Sequence, residues 1–538
     1  MLSYASSLEV NLFLMSLETT YLDHAGTTPY PKSLTNKFAK EMNSHLFGNP
    51  HSHSPSSMLS TEYIETTRLQ ALRFFNADPA QFDLIFVANA TAAIKLVAEC
   101  ISDYGRGRGG FWYGYHADAH TSLVGVRELA ALGSNCFQDD QAIDRWLSNP
   151  NSVLPGMRQP CSETNGEAIG LLAFPGQSNM NGRRLPLSWP RRVPNSIYTL
   201  LDAAALVATS PLDLSDYSSA PDFTALSFYK IFGFPDLGAL IVRKTAGHVL
   251  SQRRYFGGGT VDMVVNGGAG NESNKNWFAR KTTSLHEALE EGTPAFHNTA
   301  ALQIALDVHK ELFGSMQNVS KHTATLAKLL YDQMSMLRHI DGSLVCQIHK
   351  DPSSRYGDSK TQGPTIAFNL RNGGGNLIGK SDFEALAILN NIQIRTGGLC
   401  NPGGIAGALD ISPAQMRENF EEGVRCGNEV DEMHGKPTGV IRVSLGAMSN
   451  ERDVRTFLEF LQLFVDGSVR GSQQLAILQP SIETAPKLDY VVKVVESPEM
   501  FVCPVASCQK SLYSREALSS HLSIHQKSRR PRRLWIFR

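Results

Sequence analysis

Ser-Phe-Tyr-Lys-Ile-Phe-Gly-Phe-Pro, residues 227–235, sets a single lysine among aromatics and glycine. A solvated ammonium group gains nothing from such neighbours and loses hydration if it is buried, so Lys230 reads as chemically engaged. It follows the apolar run Phe223–Phe228, which has the length and residue types of a strand. Similar runs stand at 82–87, 111–113, 168–174, 198–202 and 239–242, separated by helix-period segments at 62–75, 92–100 and 122–131. Strands alternating with helices predict an α/β fold on a mostly parallel sheet covered on both faces. The Asn-, Ser-, Gly- and Pro-rich stretches 145–167 and 265–281 read as surface loops.

The totals fit a globular protein with a large core: 538 residues, 42% hydrophobic and 19% charged. With 50 basic against 51 acidic side chains the chain is not built mainly to bind a polyanion. The eight cysteines are scattered, with only Cys503 and Cys508 close together, so no disulfide framework is expected. A reducing compartment, the cytosol, fits this usage. The apolar patch at residues 10–15 is too short for a signal peptide, and no run is long enough to span a bilayer.

Parallel sheets gather ligands at the carboxyl ends of their strands. Ala90 and Thr91 follow strand 82–87 and open the next helix, where free N–H groups suit a phosphate. His120 follows strand 111–113, Ser178 and Asn179 follow strand 168–174, and Asp202 ends strand 198–202. Lys230 comes three residues after Ser227. A lysine, an aspartate, a phosphate cradle and a flat histidine are the parts that hold pyridoxal 5'-phosphate. The lysine would join the aldehyde as a Schiff base and the aspartate would pair with the ring nitrogen. Taken singly, Lys230 is a loop lysine and Asp202 a turn former; their joint order favours the cofactor.

At this point nine stretches, in order, resemble a family. They are Tyr-Leu-Asp-His-Ala-Gly-Thr-Thr (21–28), Phe-Gly-Asn-Pro-His-Ser (47–52), Asp-Ala-His-Thr-Ser-Leu-Val-Gly (118–125), Phe-Pro-Gly-Gln-Ser-Asn (174–179) and Ser-Phe-Tyr-Lys-Ile-Phe-Gly (227–233). Gly-Gly-Gly-Thr-Val (257–261), Glu-Gly-Thr-Pro (291–294), Arg-Thr-Gly-Gly-Leu-Cys-Asn-Pro-Gly (395–403) and Ile-Arg-Val-Ser-Leu-Gly (441–446) complete the set. The pattern resembles the cysteine desulfurases of class V aminotransferase type, most closely the N-terminal part of eukaryotic molybdenum cofactor sulfurases. It implies a pyridoxal-phosphate fold of type I, with a large lobe over 20–310 and a smaller α+β lobe over 311–466, on which the N-terminal arm packs.

The resemblance also implies roles. Lys230 would be the Schiff-base lysine, Asp202 the ring-nitrogen partner, His120 the stacking ring and Asn179 the donor to the phenolic oxygen. Ala90, Thr91 and Ser227 would hold the phosphate, with Thr293 reaching in from the second subunit of a homodimer. Arg442 would pair with the substrate carboxylate, for which a guanidinium fork is suited. Two positions depart from the general desulfurase pattern: Ala205 stands where Gln or His is usual, and Tyr229 precedes the lysine in place of His.

Cys400 lies among glycines in Thr-Gly-Gly-Leu-Cys-Asn-Pro-Gly-Gly, unlike Cys346 in its apolar run. Persulfide chemistry needs a thiolate on a chain segment that can move. The implied reaction takes sulfur from L-cysteine onto Cys400, releases alanine, and passes sulfur to the molybdenum cofactor or its carrier protein. A desulfurase or selenocysteine lyase with another acceptor is the close alternative.

After a polar linker, 467–500, comes Cys503-x4-Cys508-x12-His521-x3-His525, in place of the β-rich cofactor-binding domain of full-length sulfurases. This spacing predicts a small ββα zinc finger over 501–527 with four Zn2+ ligands. The basic tail 528–538 follows, a source of weak nucleic-acid contact or a nuclear address. One finger reads only about three base pairs. A zinc-finger regulator carrying an inactive transferase lobe is therefore the reading of another class, and the retained Lys230, Asp202, His120, Cys400 and Arg442 oppose it.

Overall fold

The computed structural model describes residues 19–149, 155–158, 168–267 and 276–466, together with strands at 501–502 and 511–512. The chain divides into two compact units, Met1–Ser468 and Val469–Arg538. In the first, seven strands form one sheet: β1 Phe82–Val87, β2 Phe111–His116, β3 Ser134–Phe137, β4 Ile169–Pro175, β5 Ile197–Asp202, β6 Phe223–Ser227 and β7 Gly238–Arg243. Their order is β1-β7-β6-β5-β4-β2-β3. All neighbours run parallel except β7, which is antiparallel to both β1 and β6. Gly238 pairs with Val87 on one side and Ser227 on the other.

Both faces of this sheet are covered, so its central strands are apolar without alternation. Every residue of β2 and β4 is buried. Successive side chains enter different cores, as a strand's period of two requires. Trp112, Leu172 and Phe174 pack on one face with Trp189 and Phe228, while Tyr113, Leu171 and Ala173 meet Ile94 and Val97 on the other.

The helices Phe296–Phe313 and Met316–Met336 lead to a second, antiparallel sheet. There Cys346–Ile348, Thr365–Arg371, Val440–Ser444 and Arg395–Gly397 lie side by side in that order. Phe368 on this sheet meets Phe383 and Phe457 from the helices Lys380–Leu389 and Glu451–Leu461 edge-on. The N-terminal arm joins the same region: Thr20–Tyr21 pairs in parallel with Ile392–Gln393, and Asp23 bridges to Ser444.

Three local expectations change. Within the stretch 265–281 a strand, Trp277–Arg280, pairs antiparallel with Val261–Val265, because Trp, Phe and Val supply strand residues within a polar composition. The helix at 122–131 is shorter, Thr121–Val124, and tightens into a 3₁₀ turn over Gly125–Leu129. Strand β3 and the helix Asp140–Leu147 were not anticipated; β3 is a short edge strand of mostly half-buried residues.

In the second unit, Phe501–Val502 pairs antiparallel with Ser511–Leu512. The candidate ligands Cys503, Cys508, His521 and His525, the linker 467–500 and the tail 528–538 lie outside the described residues. Among the described residues, no helix is long and apolar enough to cross a membrane.

Candidate active site

The carboxyl ends of β1, β2, β4, β5 and β6 open onto one pocket, lined by Ala90, Thr91, His120, Ser122, Asn179, Asp202, Ala205, Ser227, Tyr229 and Lys230 among others. This is where a parallel sheet collects its ligands. One wall is the N-terminus of the 16-residue helix Ala90–Gly105. Asn89 caps it, its Oδ1 accepting from the Ala92 N–H at 3.0 Å, and the Ala90 N–H donates to Ser227 Oγ at 2.9 Å. The Thr91 and Ser122 hydroxyls lie 2.9 Å apart. A Cβ on Gly238 would sit 2.5 Å from Asn89 Cα, so only glycine lets this turn close against β7. Helix dipole, hydroxyls and the absence of an acid among these residues fit a phosphate.

His120 caps the short helix at 121–124. Its Nδ1 accepts from the Ser122 N–H at 3.1 Å, so the ring proton belongs on Nε2. Burial holds its pKa below the ordinary value and the Lys230 charge adds to this, while Asp202 opposes both. The ring is therefore neutral and flat near pH 7. Asp202, at the end of β5 and buried, accepts from the Ala204 N–H at 3.0 Å. Lys230 sits in the first turn after β6, on the short helix Tyr229–Phe232. Burial lowers its pKa; Asp202 pulls it up and Arg442 presses it down. Such a lysine keeps more free amine than a surface one, the condition for a nucleophile. The set fits pyridoxal phosphate: an anion cradle at one end, an amine at the other, and a carboxylate and a flat ring between.

Arg442, 4% exposed on strand Val440–Ser444, stands directly opposite Arg395 on the neighbouring strand. Like charges in register destabilise a sheet unless something lies between them. That something is Asp23: Oδ1 accepts from Arg442 Nη2 at 2.6 Å and Oδ2 from Arg395 Nη2 at 2.9 Å. Arg442 Nη1 donates to the Asn179 carbonyl at 2.8 Å, and its buried Nε has no partner among the described residues. Two guanidiniums around one carboxylate leave a net positive charge beside the pocket.

Cys400 is exposed, and the loop that carries it is tied down. Leu399 and Cys400 adopt φ of 54° and 52°, the left-handed region that non-glycine residues seldom enter. The Cys400 carbonyl accepts from the Thr121 N–H at 2.8 Å, and the Leu399 carbonyl from Asn179 Nδ2 at 2.7 Å. Asn401 anchors the loop's far end on Asp118. Gly403 permits this packing, since a Cβ there would lie 2.1 Å from the Ala117 carbonyl oxygen. Cys346, by contrast, is buried in a strand, and desolvation pushes its thiol up to about 12.

Ala90, Thr91, His120, Asn179, Asp202, Ser227 and Lys230 thus come together, and Arg442 and the Cys400 loop bind to their rim through Asn179 and Thr121. Thr293 does not join them; it is exposed, with Asn49 Nδ2 donating to its hydroxyl at 3.4 Å. Asp23, Asp118, Ser122, Arg395 and Asn401 are additions. All five stand inside the quoted stretches, where acids and amides beside the assigned residues were the available signal. His116, four residues before His120, lies with its Nε2 3.2 Å from Asp140 Oδ1 and stacks on Trp189.

The molybdenum cofactor sulfurase of Neosartorya fischeri is 53% identical over 498 residues, spanning 91% of this chain and 56% of the relative. That of Aspergillus fumigatus is 55% identical over 477 residues, 86% of this chain and 54% of the relative. The chain spans about half the length of the curated relatives it matches. A cysteine desulfurase from Thermococcus onnurineus superposes with a TM-score of 0.62 at 17% identity, over 84% of this chain and 95% of that one. The fold is therefore that of the type I pyridoxal-phosphate enzymes. The aminotransferase class-V profile matches residues 20–457, and by the extent of that match this chain belongs to the aminotransferase class-V family.

Proposed function

We propose that this chain is a pyridoxal-phosphate-dependent sulfurtransferase that takes sulfur from L-cysteine onto Cys400, releases alanine, and delivers the sulfur to the molybdenum cofactor. The observation that carries the reading is one pocket joining Lys230, Asp202 and His120, with the Cys400 loop bonded to its rim. The acceptor is supported by the sulfurases it matches at above half identity. Pyridoxal phosphate, when bound, supplies the electron sink that makes the substrate's Cβ–S bond breakable.

The chain's own residues do the rest. Lys230 Nζ holds the cofactor's aldehyde carbon, and its lowered pKa keeps free amine available for that bond. Asp202 keeps the ring nitrogen protonated. His120 offers a neutral face and an Nε2–H, and the helix start at Ala90 with Thr91 and Ser227 takes the phosphate. The net positive charge of Arg442 and Arg395 around Asp23 draws the substrate carboxylate. Cys400 Sγ, as thiolate, attacks the substrate sulfur. In sum L-cysteine and the Cys400 thiol give alanine and a Cys400 persulfide: one C–S bond breaks, one S–S bond forms, and a proton ends on the former Cβ.

In the same proposal Thr293, exposed in its own chain, completes the phosphate site of a partner in a homodimer. Cys503, Cys508, His521 and His525 hold zinc; the ligand spacing and the strands before and after the two cysteines support this. The finger and the basic tail contribute weak phosphate contacts to nucleic acid. All five described cysteines are free, which fits a cytosolic setting.

Purified protein should be yellow, release alanine from L-cysteine, and carry a pyridoxyl group on Lys230 after borohydride reduction and peptide mapping. Lys230→Ala should lose all three. Alanine release that never activates desulfo xanthine dehydrogenase, with or without a separate cofactor-binding partner, would move the sulfur to another acceptor. Zinc analysis of the full chain should find one ion, lost in Cys503→Ser.

A further inference from the structure

Asn401 follows Cys400 in the chain and is wholly buried, at 0% exposure. Its amide is oriented by a group with no choice of role: the Gly404 N–H can only donate, and it lies 2.9 Å from Oδ1. Nδ2 therefore faces the other way, onto Asp118 Oδ1 at 2.7 Å and Asn179 Oδ1 at 3.0 Å. This fixes the second amide too, because Asn179 Nδ2 then meets the Leu399 carbonyl, which can only accept. Donors and acceptors run in one sense from Gly404 through both asparagines to Leu399. An amide nitrogen carries two protons. Asn179 gives one to the Cys400 loop; the other has no partner among the described residues, and Asn179 lines the pocket, so that proton is available to an occupant.

We infer that Asn401 is a positioning residue for Cys400, and that Asn179 couples docking of the Cys400 loop to occupation of the pocket. This rests on the reading of Lys230 as cofactor-bearing and of Cys400 as sulfur carrier. The loop has reason to need holding. Two consecutive left-handed non-glycine residues are strained, so the docked form depends on the loop's bonds to Asn179 and Thr121 and on the bond from Asn401 to Asp118. A ligand oxygen that accepts the free N–H of Asn179 immobilises the same amide that grips Leu399. By linkage the effect is mutual: whatever the ligand adds to loop docking, the docked loop adds to ligand affinity. Asn401, which does not line the pocket, thereby influences what the pocket holds.

The Thr121 amide reports the docked state, because it donates to the Cys400 carbonyl. Hydrogen exchange of the full chain is measured with pyridoxal phosphate removed and restored, and affinity by cofactor titration. Restoring the cofactor should slow Thr121 exchange about tenfold, and Asn401→Ala should abolish that difference and weaken cofactor binding about tenfold. Thr121 exchange that ignores the cofactor in the unmutated protein overturns the coupling, and this comparison needs no variant to fold. Undiminished cofactor affinity in Asn401→Ala, with Thr121 exposed to exchange, overturns it as well. Were Lys230 never labelled after borohydride, the functional reading itself would fall; labelled Lys230 with an unresponsive Thr121 defeats only the coupling.

Discussion

Lys230 sits in the first turn after a central strand, where the Phe228 N–H bonds to the Leu237 carbonyl and every neighbouring rung is backbone to backbone. Cys400 sits in a loop held by two buried or half-buried asparagines, a threonine N–H and a pair of left-handed residues. One reactive group is fixed by regular structure and the other by side chains. The difference suits their proposed work. An amine that must meet the same cofactor atom again in every turnover benefits from a rigid mount, whereas a thiol that must collect sulfur and hand it on needs bonds that a few atoms can release.

The sharpest way to break this comparison is Gly403→Ala. Its Cβ would meet the Ala117 carbonyl, push the Cys400 loop off its dock and cut cysteine-dependent alanine release about 100-fold. At saturating cofactor Lys230 should still be labelled by borohydride, since undocking the loop weakens cofactor affinity without moving the lysine; a loss of labelling there would mean that the loop also holds the lysine's mount. Next is Asp23→Ala, which leaves Arg442 facing Arg395 with no carboxylate between them. Because Arg395 is half in solvent, the loss should be about 2 kcal/mol in urea unfolding rather than the larger figure for a fully buried pair. On the rigid side, Ser227→Ala removes the acceptor of the Ala90 N–H; about 1 kcal/mol of stability should go, with a few-fold loss of cofactor affinity and little change in Thr121 exchange.

The mildest probe is pH. The pKa of Lys230 is lowered by burial, so its amine is freed, and cofactor attachment to the stripped protein accelerates, at a pH below the 10.5 of an ordinary lysine. Asp202 pulls that pKa upward, so Asp202→Asn should shift the midpoint of the attachment profile further down. A midpoint at or above the ordinary value would contradict the desolvated mount.

The same contrast explains what could be read from residues alone. Strands β1, β4, β5, β6 and β7 and the Lys230 turn announce themselves through local apolar runs, because backbone ladders need only the right residue types in sequence. The dock of the Cys400 loop joins Asn401 to Asp118, 283 positions away, through single atoms. No periodicity encodes such a bond. The resemblance named Arg442 for a substrate carboxylate, but nothing in the residues announced its grip on Asp23, 419 positions earlier. Thr293 was named through a second subunit, and a single chain leaves it apart from the pocket. The pairing of 261–265 with 277–280 escaped because glycine and asparagine between the two strands masked them.

Strand β7 has a consequence for ligand choice. Gly238 stands between Val87 and Ser227, so the turn that begins the helix at 90 and the turn that bears Lys230 leave the sheet from a common rung. Their separation is two interstrand steps, roughly 10 Å. The sheet therefore fixes where both turns start, while the Lys230 side chain and the Ser227 hydroxyl, which line the pocket between them, set the length of the molecule that seats there.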